Sequence, residues 1–267
     1  MSDFLEEMAR SSAARAAQAP AFTDADFDKP VVPLTLGAFD LIAEIKQRSP
    51  AEGQLGCQSP YIQSNGVSHL MSRARDYATG GAAAISVLTE PNRFDGELAH
   101  LEEVVAAVPG APVMRKDFLV DPVQILEARK AGASGVLLIA TMLDDATLLS
   151  MLDCAREHGM FVLLESFDEN DLRRSARYLD REGQVLVGVN TRNLRTLEVD
   201  RDRLERLAPS LPDTRCVAES GIVTAEDAAR VAGWGYAMAL VGTALMRSDE
   251  PAALVTAMRE AGVAACS

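Results

Sequence analysis

Pro112-Val113-Met114-Arg115-Lys116-Asp117-Phe118 decides the fold when it is taken with Asp121-Pro122 and with Gly135-Val136-Leu137-Leu138-Ile139-Ala140 further on. The apolar run Pro112 to Met114 has the length of a short buried strand, and it breaks off into three charged residues. Asp121 then offers a side-chain oxygen to the free amides of a helix start. Pro122 stands at the first helical position, where the missing N–H has no partner to lose. Gly135 to Ala140 reads as the next strand. Strand, loop, helix, strand is one parallel βαβ unit, because parallel neighbours need a crossover of a dozen or more residues. Lys116 falls at the carboxyl end of the first strand, where a side chain can meet a ligand.

The rest of the chain repeats that unit. Short runs rich in Val, Ile, Leu and Ala occur at Leu41 to Lys46, Ala83 to Leu88, Pro112 to Met114, Gly135 to Ala140, Phe161 to Glu165, Val185 to Asn190, Arg215 to Glu219 and Ala237 to Gly242. Their apolarity is continuous rather than alternating, as in strands covered on both faces of a parallel sheet. Helical patterns lie between them. Asp144 to His158 is the clearest, with Leu148, Leu149, Leu152 and Ala155 on one side and His158-Gly159 as its close. Thr224 caps another helix, and Ser248 or Asp249 opens the last. Residues 2 to 18 read as an alanine-rich helix opened by Asp3, with Glu6 at capping-box spacing. Its stripe of Leu5, Met8 and Ala9 is thin and needs a larger surface to pack on. Pro20, Pro30 and Pro33 make residues 19 to 38 a linker.

The expected fold is therefore α/β: a single (β/α)₈ barrel over residues 40–267, behind a helical extension and linker over residues 1–39. The length of 267 residues suits it, since such barrels take about 250. An open doubly wound sheet is the alternative, but no Gly-x-Gly-x-x-Gly follows any strand.

Composition narrows the function. The chain is 48% hydrophobic and 24% charged, with a net charge of −13, a balance that argues against nucleic acid and anionic membrane surfaces as partners. An anionic ligand must then be held by local cations working against the global field. The four cysteines, Cys57, Cys154, Cys216 and Cys266, form no Cys-x-x-Cys pair and read as buried free thiols in a reducing cytoplasm. The first residues lack the basic start and long apolar stretch of a signal peptide, and no run approaches the ~20 apolar residues of a membrane span. No surface stripe is apolar enough to fix an oligomeric state, and a monomer is an adequate reading.

In barrels of this kind chemistry sits at the carboxyl ends of the strands. Those ends carry Glu44-Ile45-Lys46, then Glu90 with Phe94 beyond it, Lys116, Glu165, Asn190-Thr191-Arg192, Glu219-Ser220-Gly221 and Gly242-Thr243. Glu44 and Lys46 are two apart on one strand and share a face. One such pair can be an internal ion pair that plugs the barrel. Three glutamates, two lysines and Asn190 on one rim make a polar site. Gly221 and Gly242 can be ordinary turns, or, on the last two strands beside Ser220 and Thr243, a phosphate cradle of backbone amides. His69, His100 and His158 all lie in helical patterns away from the strand ends, which disfavours a histidine base, a zinc site and a Ser-His-Asp triad. What remains is acid–base chemistry by lysine and glutamate on a small phosphorylated ligand, without metal or cofactor.

With these residues in view, the chain resembles the indole-3-glycerol-phosphate synthase family of tryptophan biosynthesis. The resemblance rests on Ala43-Glu44-Ile45-Lys46 with Ser49-Pro50, Ile85 to Glu90, Arg115-Lys116-Asp117-Phe118, Leu137-Leu138-Ile139, Gly188 to Leu194, Glu219-Ser220-Gly221-Ile222 and Val241 to Met246, in order and one per strand. It implies a cytoplasmic lyase that closes, decarboxylates and dehydrates 1-(2-carboxyphenylamino)-1-deoxyribulose 5-phosphate to indole-3-glycerol phosphate. It implies Lys116 as general acid, Glu165 as the base of the dehydration, and Lys46 on the aryl carboxylate. Glu44 and Asn190 would position substrate and keep the lysines charged, with Ser49 a further carboxylate contact. Arg192, Glu219, Ser220, Gly221, Gly242 and Thr243 would bind the remainder of the substrate, mostly at its phosphate end. Phe94, Phe118, Leu138 and Leu194 would be apolar walls.

Three stretches depart from the family pattern. Ser49-Pro50-Ala51-Glu52-Gly53 stands where Ser-Pro-Ser-Lys-Gly is usual, Phe94-Asp95-Gly96-Glu97 where Phe-x-Gly-Ser is usual, and Gln54 to Gly66 is unlike the family. All border the expected aryl end. They leave open a paralogue acting on a modified anthranilate, or a non-catalytic barrel that binds a phosphate ligand. An Amadori isomerase needs an aspartate or cysteine pair at the ends of the first and seventh strands, where this chain has Glu44-Ile45-Lys46 and Glu219.

Overall fold

The computed structural model describes residues 3–49, 53–54, 68–179, 184–192, 199–200 and 202–266. Among these, eight strands close into an all-parallel barrel: β1 (Asp40–Ile45), β2 (Ala84–Leu88), β3 (Val113–Lys116), β4 (Gly135–Ile139), β5 (Phe161–Ser166), β6 (Val185–Asn190), β7 (Cys216–Glu219) and β8 (Met238–Val241). Sheet neighbours are sequence neighbours, and β1 closes the ring by pairing Asp40 to Ala43 with Met238 to Val241. β3 extends through the charged Arg115-Lys116 because the two side chains leave on opposite faces. The buried Arg115 turns outward and bonds Thr89, the carbonyl of Gln124, Asp117 and Glu127. Lys116 turns in.

The helices are α1 (Asp3–Ala16), α2 (His69–Thr79), α3 (Pro91–Phe94), α4 (Leu98–Ala107), α5 (Pro122–Ala131), α6 (Asp145–Glu157), α7 (Glu169–Ala176), α8 (Asp202–Leu207), α9 (Ala225–Gly233), α10 (Thr243–Arg247) and α11 (Pro251–Ala265). Of the expected caps, Asp121 accepts from the amide of Val123 and Thr224 from Asp227, while Asp3 is the first residue of α1 itself; Asp144 also caps α6, accepting from Thr147. Two expectations are corrected. The buried face of α6 is Leu148, Met151, Leu152 and Ala155, because steps of three and four from Leu148 pass over Leu149. α11 opens at Glu250-Pro251, with the proline fixing the first turn, while Ser248 only accepts from the amide of Glu250.

Strand alternation divides the core in two. Leu41, Ala43, Ile45, Leu138, Val187 and Val189 pack between barrel and helices. Ile42, Met114, Leu137, Ile139, Leu163, Leu186, Val217 and Leu240 fill the barrel itself. α1 lies across the mouth, with Leu5 and Met8 joined to the inner cluster and Phe4 edge-on to Phe118 at 5.7 Å. Arg15 holds Asp117 through two bonds of 2.8 and 2.9 Å, and Ser12 accepts from Gln124. The linker then descends the outside of the barrel. Lys29 donates to the carbonyl of Ala131, Phe27 packs on His158, and the amide of Val32 donates to Ser134. Leu34 closes the far end, its carbonyl taken by Gln184 just before β6. No helix among the described residues is long and apolar enough to cross a membrane.

Candidate active site

Towards the carboxyl ends of the strands the inward positions change from apolar to charged. Period two carries Ile42 of β1 on to Glu44 and Lys46, Met114 of β3 on to Lys116, Leu163 of β5 on to Glu165, and Val217 of β7 on to Glu219. These side chains meet. Lys116 Nζ lies 3.0 Å from Glu219 Oε2, 3.6 Å from Glu44 Oε2 and 3.8 Å from Glu165 Oε2. Lys46 Nζ donates to Glu44 Oε1 at 2.6 Å, so Glu44 bridges the two lysines.

Burial sets the protonation states. Burial alone would discharge Lys116, but Glu219, Glu44 and Glu165 outweigh it and hold the ammonium well above its ordinary value. Burial would likewise raise Glu44, yet Lys46 and Lys116 keep its carboxyl below the usual range. Glu165 goes the other way. Burial first, and then the neighbouring Glu219, push it up to about 8 against the pull of Lys116. Two adjacent carboxyls beside one shared lysine cannot both ionise freely.

Asn190 is the hinge between this cluster and the next. Its Oδ1 accepts from the amide of Arg192 at 2.9 Å and from Ser220 Oγ at 2.9 Å, which turns its amide nitrogen towards Glu165. Ser220 has φ 67° and Gly221 φ 81°, so the chain after β7 makes two successive left-handed residues. Such a conformation is strained for serine and survives where the surroundings fix it. Here Thr191 donates to the carbonyls of Glu219 and Ser220. Beside this turn, Gly242 leads into α10.

Two inward glycines make room for the carboxylates. A Cβ on Gly188 would meet Glu219 Oε1, and one on Gly242 would meet Glu44 Oε1 and Lys46 Nζ.

A cavity of about 560 Å³ opens over the cluster, within the range of ligand sites. Glu44, Lys46, Lys116, Glu165, Asn190, Arg192, Glu219, Ser220, Gly221, Gly242, Thr243, Phe94 and Phe118 all line it. Leu138 does not. It packs outward beneath the helices, and its neighbours Leu137 and Ile139 form the wall instead, since adjacent strand residues face opposite ways. Ser49 pairs through its backbone with Gly53 in a short ribbon after β1, and Leu194 lies outside the described residues. Phe4 and Arg247 also line the cavity and carry no strand-end signature in the sequence. Among the described residues no group of three or more His, Cys, Asp or Glu is placed to hold a metal.

The unusual acids of the second loop have structural partners. Asp95 turns left-handed at φ 53° and lies 3.7 Å from Arg48, and the exposed Glu97 is the N-cap of α4. Neither is among the cavity-lining residues. The stretches Pro50 to Glu52 and Leu55 to Gly66 lie outside the described residues.

The family profile for indole-3-glycerol phosphate synthase matches residues 8–258. An indole-3-glycerol phosphate synthase of Nocardioides sp. is 45% identical over 238 residues, 88% of this chain and 86% of that protein. One of Mycobacterium leprae is 42% identical over 250 residues, 93% of this chain and 85% of that protein. Among solved structures, 3-hexulose-6-phosphate synthase from Salmonella typhimurium superposes with a TM-score of 0.63 at 16% identity, over 85% of this chain and 99% of that one, a likeness of fold alone. The chain belongs to the indole-3-glycerol phosphate synthase family.

Proposed function

We propose that the protein is a carbon–carbon carboxy-lyase that converts 1-(2-carboxyphenylamino)-1-deoxyribulose 5-phosphate to indole-3-glycerol phosphate, carbon dioxide and water. The observation that carries the reading is Lys116 Nζ held among Glu219, Glu44 and Glu165 in a cavity that the backbone at Gly221 and Gly242 also lines. The aryl carbon bearing the carboxylate attacks the ribulose carbonyl carbon, and the electron pair of that carbonyl moves to oxygen. Lys116 is charged and already aimed into the cavity, so it supplies the proton that oxygen takes without reorganising. Loss of carbon dioxide then returns the electron pair of the broken C–C bond to the ring.

In the dehydration that follows, the hydroxyl leaves as water with a proton from an acid, and a base removes a proton from the substrate. Glu165, which exchanges its proton near neutral pH, is that base. Lys46, 2.6 Å from Glu44, faces the substrate carboxylate and serves as the second acid. Glu44 and Asn190 keep the lysines and Glu165 in place. Arg192, Ser220, Gly221, Gly242 and Thr243 receive the phosphate, and Glu219 holds Lys116. Phe94, Phe118, Leu137 and Ile139 enclose the aryl ring. That Asp95 and Glu97 are engaged with Arg48 and with the start of α4 favours the ordinary anthranilate ring over a modified one.

Incubation with the ribulose substrate is expected to produce indole fluorescence. Lys116→Ala is expected to lower kcat by roughly 10²-fold or more, the scale of general acid catalysis. A variant turning over at the wild-type rate would remove Lys116 from its role.

A further inference from the structure

α2 carries a charge on its buried face. Arg73 is 6% exposed, and among the described residues it makes no ion pair with a carboxylate. Its Nη1 donates instead to two backbone carbonyls, Leu245 at 3.2 Å and Ser248 at 2.7 Å, and its Nε donates to His69 Nε2 at 3.4 Å. Leu245 lies within α10 and Ser248 is the residue that caps it. A guanidinium buried without a carboxylate loses hydration, and an apolar side chain could fill the same space without that loss. What the guanidinium supplies is a partner for the negative end of a helix. The carbonyl of Leu245 already accepts from the amide of Ser248, and Arg73 adds a second bond there and takes the carbonyl of Ser248, so that a cation complements the aligned peptide dipoles at this end.

α10 is only five residues long, about 7.5 Å at the usual helical rise. Fixing its last carbonyls therefore fixes its first amides. Those belong to Thr243 and Ala244, which with Gly242 line the cavity, whereas Arg73 does not. One turn further along α2, the buried hydroxyl of Tyr77 points at the carbonyl of Glu44 at 3.5 Å. The same face of α2 thus touches the backbone behind the acid–base cluster and the backbone of α10, whose first residues line the cavity.

We propose that Arg73 is a positioning residue for the phosphate end of the site, holding α10 from its carbonyl end so that the amides of Thr243 and Ala244, next to Gly242, stay aimed at the substrate's phosphate. The proposal rests on the phosphate placement given above. An anion at one end of α10 and a cation at the other act on the same dipole, so Arg73 strengthens phosphate binding without touching it.

Steady-state kinetics of Arg73→Met and Arg73→Lys, with inorganic phosphate as competitive inhibitor, test this. In Arg73→Met the KM for the ribulose substrate and the inhibition constant for phosphate are expected to rise together, by about tenfold, with kcat within about twofold of wild type. That split marks lost binding that is uniform along the reaction path. Arg73→Lys keeps the charge but not the two-carbonyl reach, and is expected to fall between. If Arg73→Met does not fold, Arg73→Lys alone decides: a parallel rise in both constants supports the proposal, and wild-type values overturn it. A fall in kcat with KM unchanged would also overturn it, since that is a disturbance of the acid–base cluster. Phosphate that competes in the wild type but equally well in Arg73→Met overturns the brace alone. Phosphate that does not compete in the wild type overturns the phosphate placement and the brace with it.

Discussion

Gly188 is the residue on which the geometry of Lys116 most directly turns. It sits in the middle of β6, where a side chain would normally add packing, yet its inward Cβ position is taken by the carboxylate of Glu219. That carboxylate holds Lys116 at 3.0 Å. In Gly188→Ala the methyl group and the carboxylate cannot both occupy the barrel axis, and the flexible partner is Glu219. It swings away, and Lys116 loses the nearest of its three anions. A misplacement of this size at a reacting group costs roughly 10²-fold in rate. The expected result is a folded enzyme with kcat reduced on that scale and KM little changed, read by circular dichroism and steady-state kinetics. An alanine variant with wild-type kcat would mean that Glu219 does not set the position of Lys116.

Among the elements, the strands were legible and the attachments between elements were not. A strand covered on both faces advertises itself as a largely apolar run, and most of the barrel strands do so, whereas β3 is apolar only as far as Met114. The same continuity erases the phase. Nothing in Leu137-Leu138-Ile139 says which residue faces inward, and the family resemblance pointed to Leu138, which packs beneath the helices. Glu44 and Lys46 were placed correctly because a charged pair at spacing two carries its own phase. The thin stripe of α1 called for a larger surface but did not say which, because the bonds that fix it at the mouth span 102 residues, from Arg15 to Asp117. Those bonds make a prediction at this scale. Asp117 is almost wholly buried and, against that burial, Arg15 and Arg115 hold its carboxyl below the usual range. In Arg15→Ala the carboxylate keeps Arg115 and Thr89 but loses two charged hydrogen bonds, a destabilisation of roughly 2 kcal/mol. α1 then separates more readily from the mouth and takes Phe4 with it. The melting temperature is expected to fall and KM to rise, with kcat nearly unchanged because Lys116 keeps its three carboxylates. Equal protease resistance of α1 in variant and wild type would show that Arg15 does not anchor it.

Across the whole molecule, the acid–base cluster leaves its mark on stability as well as rate. The folded state holds a proton on Glu165 up to about 8, whereas the unfolded chain releases it near 4.5. Between those values the folded state binds more protons, so raising the pH favours unfolding. The contribution is complete below about 4.5 and is lost as pH climbs through about 8. Lys116, shifted upward, stays charged in both states over this window and adds no slope. Glu44 and Asp117, shifted downward, act only in acid, where their contribution disappears as pH falls through their folded values. His69 opposes Glu165: burial, and then Arg73, hold its imidazole below its ordinary 6.5, so its share grows as pH rises towards that value. The difference between wild type and Glu165→Gln cancels His69 and isolates the carboxyl. Melting temperatures measured from pH 5 to 9 are expected to show the glutamine variant gaining on the wild type as pH rises, most steeply between about pH 5 and 7, with the gain levelling off above about 8. Parallel curves would mean that Glu165 ionises in the folded protein where an ordinary glutamate does.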